Sequence, residues 1–316
     1  MIGNVKYDKT FNSDKLLPKA SYILKNIPNT YYFGDKHPHP CRPPSAIYNI
    51  ATHEVLNSLN IAIKKFEDYN TDVNIEVFFT DLIEKCEKVI ANICSLYDEC
   101  YLILISISKP TTNNPTKAVE WLKTNGYDTG GIFTSYSFEA IKIWQEIYNR
   151  LKHNNQKLSY FLATENENHV EGFYIEGYTS ENSIGPDPTF HGKKNNMSEG
   201  ISFKKFFKEI FLSFFYISDK LLKVVEQHLQ KYHNHKLNYK IAMNENIELI
   251  TEIWNKLTDM DYIYFPDEYK IKYAKIEKYK ISYPHKSILY NPKTMDIKVK
   301  FSSDGVTTKY QLPMIK

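Results

Sequence analysis

The sequence predicts a mixed α/β (α+β) fold, with a partly parallel sheet and flanking helices, a long amphipathic helix and a C-terminal antiparallel meander. Apolar residues recur at steps of three and four through 200–232, which is typical of one helix face. Two apolar runs, at 73–79 and 100–108, have the length of buried strands and flank a helical stretch. Residues 294–301 alternate between apolar and charged, which indicates a half-buried strand.

Composition limits the class of protein. The 316 residues are 42% hydrophobic and 15% aromatic, which supplies a sizeable core. Abundant Lys, Asn, Ile, Tyr and Phe indicate an A/T-rich genome. A net charge of +3 falls below the strongly basic balance of a dedicated nucleic-acid domain. Arg42 and Arg150 are the only arginines, and because guanidinium groups read guanine best, the sequence argues against specific binding of duplex DNA.

Three features predict a soluble, cytoplasmic protein. The N-terminus lacks the apolar segment of a secretory signal. The most apolar run of the long helix, 210–217, is too short to cross a bilayer, so no membrane span is expected. The cysteines form no CxxC pair and are predicted to be buried thiols, which fits a reducing compartment. They are Cys41, Cys86, Cys94 and Cys100.

The chain is predicted to divide into three parts, or to form one continuous domain. Residues 1–44 form an irregular N-terminal arm, because the prolines and glycines at 34–44 exclude helix and central strand. Residues 45–180 form the α/β core. Residues 181–316 form a helical part that is followed by the β-meander.

The α/β core begins with a helix over 45–69. A strand at 73–79, a helix over 81–96 and a strand at 100–108 then make a βαβ unit. Such a crossover is right-handed and joins parallel strands that are covered on both faces. The carboxyl ends of the two strands are therefore expected to lie side by side.

The remaining elements follow from turn residues and periodicity. They are a short helix from Thr116 to Asn125, a short strand at Ile132–Phe133, a helix over 137–151, a hairpin of strands 158–164 and 170–179, a polar loop over 180–199, the long helix, a helix over 244–257, and strands at 287–290, 294–301 and 306–312.

The strand ends supply the candidate site, because ligands bind beyond the carboxyl ends of parallel strands. The predicted catalytic residues are Asp81, Ser106 and Lys109. The predicted ligand-binding residues are Thr80, Ser108, Asp128, Gly130 and Gly131. The two glycines allow a phosphate to approach the backbone closely. No dinucleotide or P-loop fingerprint is present, so the sequence identifies no cofactor.

Two other groups of residues have a functional and a structural interpretation. His37, His39 and Cys41 have ligand chemistry that suits zinc, but a proline-rich segment directs alternate side chains apart, so a rigid surface loop is the favoured interpretation and no metal is predicted. Asp187 and His191 lie in the polar loop, for which a plain surface loop is the favoured interpretation and a lid carrying these two residues is the alternative.

The function that these observations favour is binding of a small phosphate-bearing ligand at the strand ends, with hydrolase or transferase chemistry left open. The first alternative is a non-enzymatic protein-interaction or effector protein, since catalytic motifs are absent. The second is binding of single-stranded nucleic acid by the basic C-terminal strands, where Lys298 and Lys300 alternate with apolar residues. Whether the protein is an enzyme stays open at this point.

Overall fold

The computed structural model describes most of the chain. The described residues are 7–10, 16–37, 41–69, 74–110, 117–153, 156–165, 168–180, 183–191, 193–194, 197–198, 200–237, 246–265, 268, 274–277, 280–283, 293–301 and 307–314. The predicted cap at Thr116, the strand at 287–290 and His39 lie outside these residues.

Helices dominate the described part of the chain. In chain order they are α1 (Ala20–Ile23), α2 (Pro44–Glu67), α3 (Ile75–Ser106), α4 (Ala118–Thr124), α5 (Thr129–His153), α6 (Pro188–His191), α7 (Phe203–His233) and α8 (Ile247–Asp259). Three short 3₁₀ turns follow α1, at Leu24–Asn26, Asn29–Tyr31 and Gly34–Lys36.

The strands are short, apart from one hairpin and the C-terminal pair. They are β1 (Tyr7–Thr10), β2 (Leu158–Glu165), β3 (Asn168–Ser180), β4 (Ser183–Pro186), β5 (Lys193–Lys194), β6 (Met197–Ser198), β7 (Ile201–Ser202), β8 (Lys275–Glu277), β9 (Lys280–Tyr283), β10 (Lys293–Phe301) and β11 (Thr307–Met314). The main sheet has the order β11-β10-β2-β3-β4, and β7 also pairs with β3. A second sheet has the order β1-β9-β8, and β5 pairs with β6.

Helix α7 lies at the centre of the molecule, and its position confirms the predicted long helix. Its first three turns are buried almost all round, including Lys205, Lys208 and Glu209, as expected of a helix that other elements cover on every side. Aromatic rings connect it to its neighbours. The ring pairs are Phe206–Trp144 with α5, Phe203–Phe79 with α3, Phe207–Phe66 with α2, Phe206–Phe173 with β3 and Phe211–Trp254 with α8.

The predicted βαβ unit is wrong, because 75–106 is a single helix of 32 residues. Buried residues recur at helical spacing across both predicted strand boundaries, so one stripe runs the whole length of α3. The stripe consists of Phe79, Leu82, Cys86, Ile90, Ile93, Tyr97, Cys100 and Leu104. A short apolar run cannot be assigned to strand or helix from periodicity alone, and here packing against neighbouring helices decides for helix.

The start of α3 has a defined cap. The Asn74 side chain accepts hydrogen bonds from the backbone N–H groups of Glu76 and Val77, at 3.1 and 3.3 Å. These bonds satisfy two of the amides that a helix start leaves without a partner. The apolar run at 73–79 therefore contains a helix start, which a strand prediction overlooks.

The partly parallel sheet is also wrong, since every strand pair among the described residues is antiparallel. The predicted short strand at Ile132–Phe133 belongs to α5. The hairpin is confirmed, with Leu158 opposite Ile175 and Glu165 opposite Asn168. In the predicted C-terminal meander, the antiparallel pairing of β10 with β11 is confirmed. Strand β10 also pairs with β2, so the C-terminal strands extend the sheet of the hairpin. The predicted domain bounds stay a prediction.

Among the described residues, α3 is long and apolar enough to cross a membrane by length and composition. Of its most apolar 18-residue window, 72% is buried inside the fold. Buried core helices of soluble proteins share this property, so the apolar surface of α3 has an explanation in packing.

We predict that Phe206→Ala lowers the free energy of unfolding by about 3–5 kcal/mol, because a fully buried ring between α7, α5 and β3 is lost. Urea unfolding followed by circular dichroism measures the change. Lys142→Ala, at an exposed position of α5, is the control and should stay within about 0.5 kcal/mol of wild type. Equal stabilities of the two variants would contradict the central position of α7.

Candidate functional site

The structure separates the predicted catalytic residues. Asp81 lies near the start of α3 and Ser106 at its end. At about 1.5 Å per residue, the 25 steps between them correspond to about 38 Å. Lys109 follows the end of the helix and is exposed. No single ligand of small size can contact all three, and the shared strand edge on which they were predicted does not exist.

Asp81 and its neighbour Thr80 lie on an exposed surface of α3. The Asp81 carboxylate makes ion pairs with Lys65, at 2.8 Å, and with Lys85. Hydrogen bonds from these two lysines lower the pKa of Asp81 below its ordinary value. These contacts connect α2 with α3 and give Asp81 a structural explanation.

Ser106 and Ser108 are buried and bond to the backbone of α3. The Ser106 hydroxyl donates to the Ile103 carbonyl at 2.7 Å, and the Ser108 hydroxyl donates to the Leu104 carbonyl at 2.7 Å. A hydroxyl that donates to a backbone carbonyl has no base to take its proton. Neither serine is therefore arranged as a nucleophile.

Histidine rings cover the carbonyl groups at the end of α3. His37 Nε2 lies 3.1 Å from the Ile105 carbonyl and 3.3 Å from that of Ser108. His228 Nε2 and His233 Nε2 lie 3.2 and 2.9 Å from the Ile107 carbonyl. A buried helix end leaves carbonyls without intrahelical partners, and ring N–H groups satisfy them.

His228 joins α3, α5 and α7 through its two ring nitrogens. Nε2 faces a carbonyl, which can only accept, so this nitrogen carries the proton. Nδ1 therefore accepts from the Thr129 hydroxyl, at 3.1 Å, in the first turn of α5. Burial lowers the pKa of His228 to about 4, with a further contribution from His233. A histidine with this pKa is a weak base at neutral pH, so the Thr129–His228 pair is structural rather than catalytic.

A groove lies next to this pair, between the start of α5 and the last turns of α7. Its volume is about 630 Å³. Asp128 lies at one end, where its carboxylate accepts from the Tyr232 hydroxyl at 2.8 Å and pairs with Lys231 at 2.7 Å. The groove is lined by Asp128, Thr129, Ile132, Tyr136, Lys223, Glu226, Gln227, Gln230 and Lys231.

Two predicted glycines begin α5 beside this groove. A Cβ atom at Gly130 would lie 2.9 Å from the Leu122 side chain, so this glycine permits close packing of α4 on α5. A Cβ at Gly131 would meet nothing within 4 Å, so the backbone there is open. The structure thus brings Asp128 and both glycines to one place. The buried Ser108 hydroxyl lies 3.4 Å from Nε2 of His228, the residue that contacts Thr129.

Comparison with known proteins gives no relative for this chain. No family model, no curated protein and no solved structure matches it.

Sequence reasoning missed Thr129 and Tyr232 and gave His228 no role. The available signal was the pair of histidines at 228 and 233 near the end of the long helix, whose rings lie 5.6 Å apart in the structure. Their partners are backbone carbonyls of α3, and a strand prediction for 100–108 hid those carbonyls. Within the described residues, no group of three His, Cys, Asp or Glu side chains is placed to hold a metal ion.

Asp187 and His191, the candidate lid residues, are anchored to the sheet. Asp187 accepts from Arg150 at 2.9 Å and from Gln156 at 2.6 Å, and it also accepts from the backbone of Thr189. His191 Nε2 accepts from the backbone N–H of Ile175 at 2.8 Å. Since both side chains hold α6 against β3, these contacts favour a structural role.

A second polar cluster is buried at the start of α7. Lys205 Nζ lies 3.7 Å from Glu209 and 3.8 Å from Glu268. Glu268 also accepts from the backbone N–H groups of Ser202 and Phe265. Burial raises the pKa of Glu268, and Lys205 partly opposes that rise. The cluster joins the start of α7 to the segment after α8.

We predict that His228 makes stability fall in acid. The unfolded chain binds the proton at a pKa of about 6.5, whereas folded His228 binds it at about 4, so stability decreases as pH falls across this window. The gap corresponds to about 3 kcal/mol. Urea unfolding at pH 7 and at about pH 4 measures the loss.

The matched variants are His228→Gln and His153→Gln, the latter at the exposed end of α5. His228→Gln should reduce the loss between the two pH values by about 2–3 kcal/mol, and His153→Gln should leave it as in wild type. An unchanged loss in His228→Gln would show that folded His228 titrates normally.

Proposed function

We propose that the protein binds a small phosphate-bearing ligand in the groove between the start of α5 and the end of α7. The observation that supports this most is the meeting of Lys223, Lys231 and the first turn of a 25-residue helix in one groove. Lysine ammonium groups and free amides at a helix start both favour a phosphate.

Thr129 and Ile132 bring the first turn of α5 into the groove, and no side chain covers the neighbouring backbone at Gly131. The Asp128 carboxylate would oppose an anion, but Tyr232 and Lys231 already hold it, and hydrogen bonds from these two lower its pKa. The Asp128 carboxylate therefore faces Tyr232 and Lys231 on α7. Lys231 is exposed, so sharing its ammonium group between Asp128 and a ligand phosphate costs little, since exposed ion pairs contribute little to stability, and Tyr232 keeps its hydrogen bond to Asp128.

The rest of the groove suits the remainder of such a ligand. Tyr136 and Ile132 offer apolar surface on α5, and Gln227 and Gln230 offer amides on α7. A volume of about 630 Å³ falls in the range of small-molecule sites. Two lysines balanced by Asp128 and Glu226 favour a small ligand over a long polyanion. A nucleotide combines the required phosphate, ring and hydrogen-bonding groups.

The proposal covers binding alone. Hydrolysis or transfer would need a base or nucleophile near the phosphate, and His228 has a low pKa while Ser106 and Ser108 donate to carbonyls. Asp81 lies near the opposite end of α3.

We predict that ADP raises the melting temperature and that Lys223→Gln/Lys231→Gln weakens ADP binding about tenfold or more, because two charge-assisted contacts are lost. Isothermal titration calorimetry at low salt measures the affinity. Lys142→Gln, an exposed lysine of α5 outside the groove, is the control with the same chemistry.

Inorganic phosphate and a sugar phosphate separate recognition of phosphate from recognition of the base. If ADP, ATP, phosphate and sugar phosphates all fail to bind, or if the double variant binds as well as wild type, the proposal is wrong. The non-enzymatic interaction role would then be the next candidate. Binding of single-stranded nucleic acid stays a separate proposal, since the side chains of Lys298 and Lys300 lie outside the described residues. Steep salt dependence of RNA binding would support it.

A further inference from the structure

A second cavity lies between α2, the residues just before it, and α3. Its volume is about 390 Å³. We call it the α2/α3 cleft. It is lined by Cys41, Arg42, Ile47, Ile50, Ala51, Glu54, Asn92, Ser95, Glu99 and Leu102. On α3 these residues recur at steps of three and four, so one helix face forms that wall.

The walls of the α2/α3 cleft combine an apolar part with polar and charged side chains, and Ile50 in the apolar part is 46% exposed. Ile47, Ala51 and Leu102 continue this apolar surface. Asn92 is fixed on the wall, because its amide donates to the Glu54 carbonyl at 2.9 Å and to the Ser58 hydroxyl at 3.1 Å. These two hydrogen bonds join α3 to α2 at the wall of the cleft.

Three charged side chains line the cleft: Arg42, Glu54 and Glu99. Among the described residues none of the three makes an ion pair within 4 Å. Asp81 and Asp187, by contrast, each bond to a lysine or arginine. Arg42 and Glu54 are exposed at the rim and Glu99 is half-buried, so the cleft presents charges of both signs that make no ion pair within 4 Å among the described residues.

Glu99 is half-buried, and burial raises the pKa of its carboxyl, as does neighbouring Asp98. Arg42 lowers that pKa, so the guanidinium is near enough to act on the carboxylate although the two form no ion pair. A desolvated carboxylate without a cation in contact is a place where a ligand ammonium group gains most.

We propose that the α2/α3 cleft binds a small zwitterion of the amino-acid class with an apolar side chain. The ligand ammonium group lies against Glu99 and Glu54, and the ligand carboxylate faces the Arg42 guanidinium, which suits a carboxylate through paired N–H donors. The apolar side chain covers Ile47, Ile50 and Leu102. This site is separate from the groove of α5 and α7.

The probes are three matched molecules: L-leucine, N-acetyl-L-leucine, which lacks the ammonium charge, and isopentylamine, which lacks the carboxylate. We expect L-leucine to bind with a Kd of about 1 mM or lower, and N-acetyl-L-leucine to bind at least about tenfold more weakly. Titration followed by NMR of the full chain measures both. Isopentylamine should fall between them.

The variants assign the contacts. Glu99→Gln should weaken L-leucine binding about tenfold or more, and the fold should persist because the cleft already disfavours a charge at this position. Arg42→Gln should weaken L-leucine but leave isopentylamine unchanged. Glu84→Gln, an exposed glutamate on the same helix, is the control and should bind like wild type.

Cys41 supplies an independent readout. It lines the cleft and is half-buried, whereas Cys86, Cys94 and Cys100 are buried. L-leucine should slow the reaction of Cys41 with a thiol reagent, and Glu99→Gln should abolish that protection. The proposal is overturned if none of the proteinogenic amino acids binds at about 10 mM, or if binding is the same in Glu99→Gln and Glu84→Gln. Lys223→Gln/Lys231→Gln should bind L-leucine normally, so failure here is distinct from failure at the α5/α7 groove.

Discussion

Burial of α7 is the constraint on which the other elements depend. A helix with phenylalanines on several faces can be stable in water only if other elements cover each of those faces. Helices α2, α3, α5 and α8 and strand β3 each place an aromatic ring against it. Among these neighbours α3, with 32 residues, matches the 31 of α7, whereas α8 covers it with 13.

Polar groups at the ends of these long helices are buried, and residues distant in sequence form hydrogen bonds with them. At the end of α3, the ring nitrogens of His37 and His228 contact the carbonyls of Ile105 and Ile107. At the start of α7, Lys208 Nζ donates to the carbonyls of Met260 and Asp261, both at 2.7 Å, and lies 3.5 Å from the centre of the Tyr262 ring. Burial lowers the pKa of Lys208 to about 7. At both helix ends, burial and these contacts account for the lowered pKa values of His228 and Lys208 without a catalytic role.

The sequence predicts the parts of the fold in which one pattern runs without ambiguity. The stripe of α7 and the alternation of β10 have only one interpretation, because length and period agree. Residues 73–79 and 100–108 are different, since an apolar run of seven to nine residues fits a strand as well as one side of a buried helix. Their assignment depends on the neighbours that cover them, and those neighbours are distant in sequence.

The candidate sites depend on tertiary contacts in the same way. The edge of a parallel sheet, for which Asp128, Gly130 and Gly131 were predicted, is wrong, and these neighbours in sequence lie at the start of α5, where Asp128 lines the groove. The α2/α3 cleft could not be predicted from the sequence, because Arg42 and Glu99 line one cleft only when α2 packs along α3. A single sequence gives no signal for such a pairing.

The distance between Thr80 and Lys109 tests the architecture most directly. Both positions are exposed and accept nitroxide labels after substitution by cysteine, with Cys41→Ser removing the half-buried native thiol. Double electron–electron resonance should give about 40 Å, because one continuous helix separates the two positions. Two neighbouring parallel strands, spaced by about 4.8 Å, would instead bring the labels within about 15 Å. A short distance would contradict α3 as a single helix and, with it, the packing around α7.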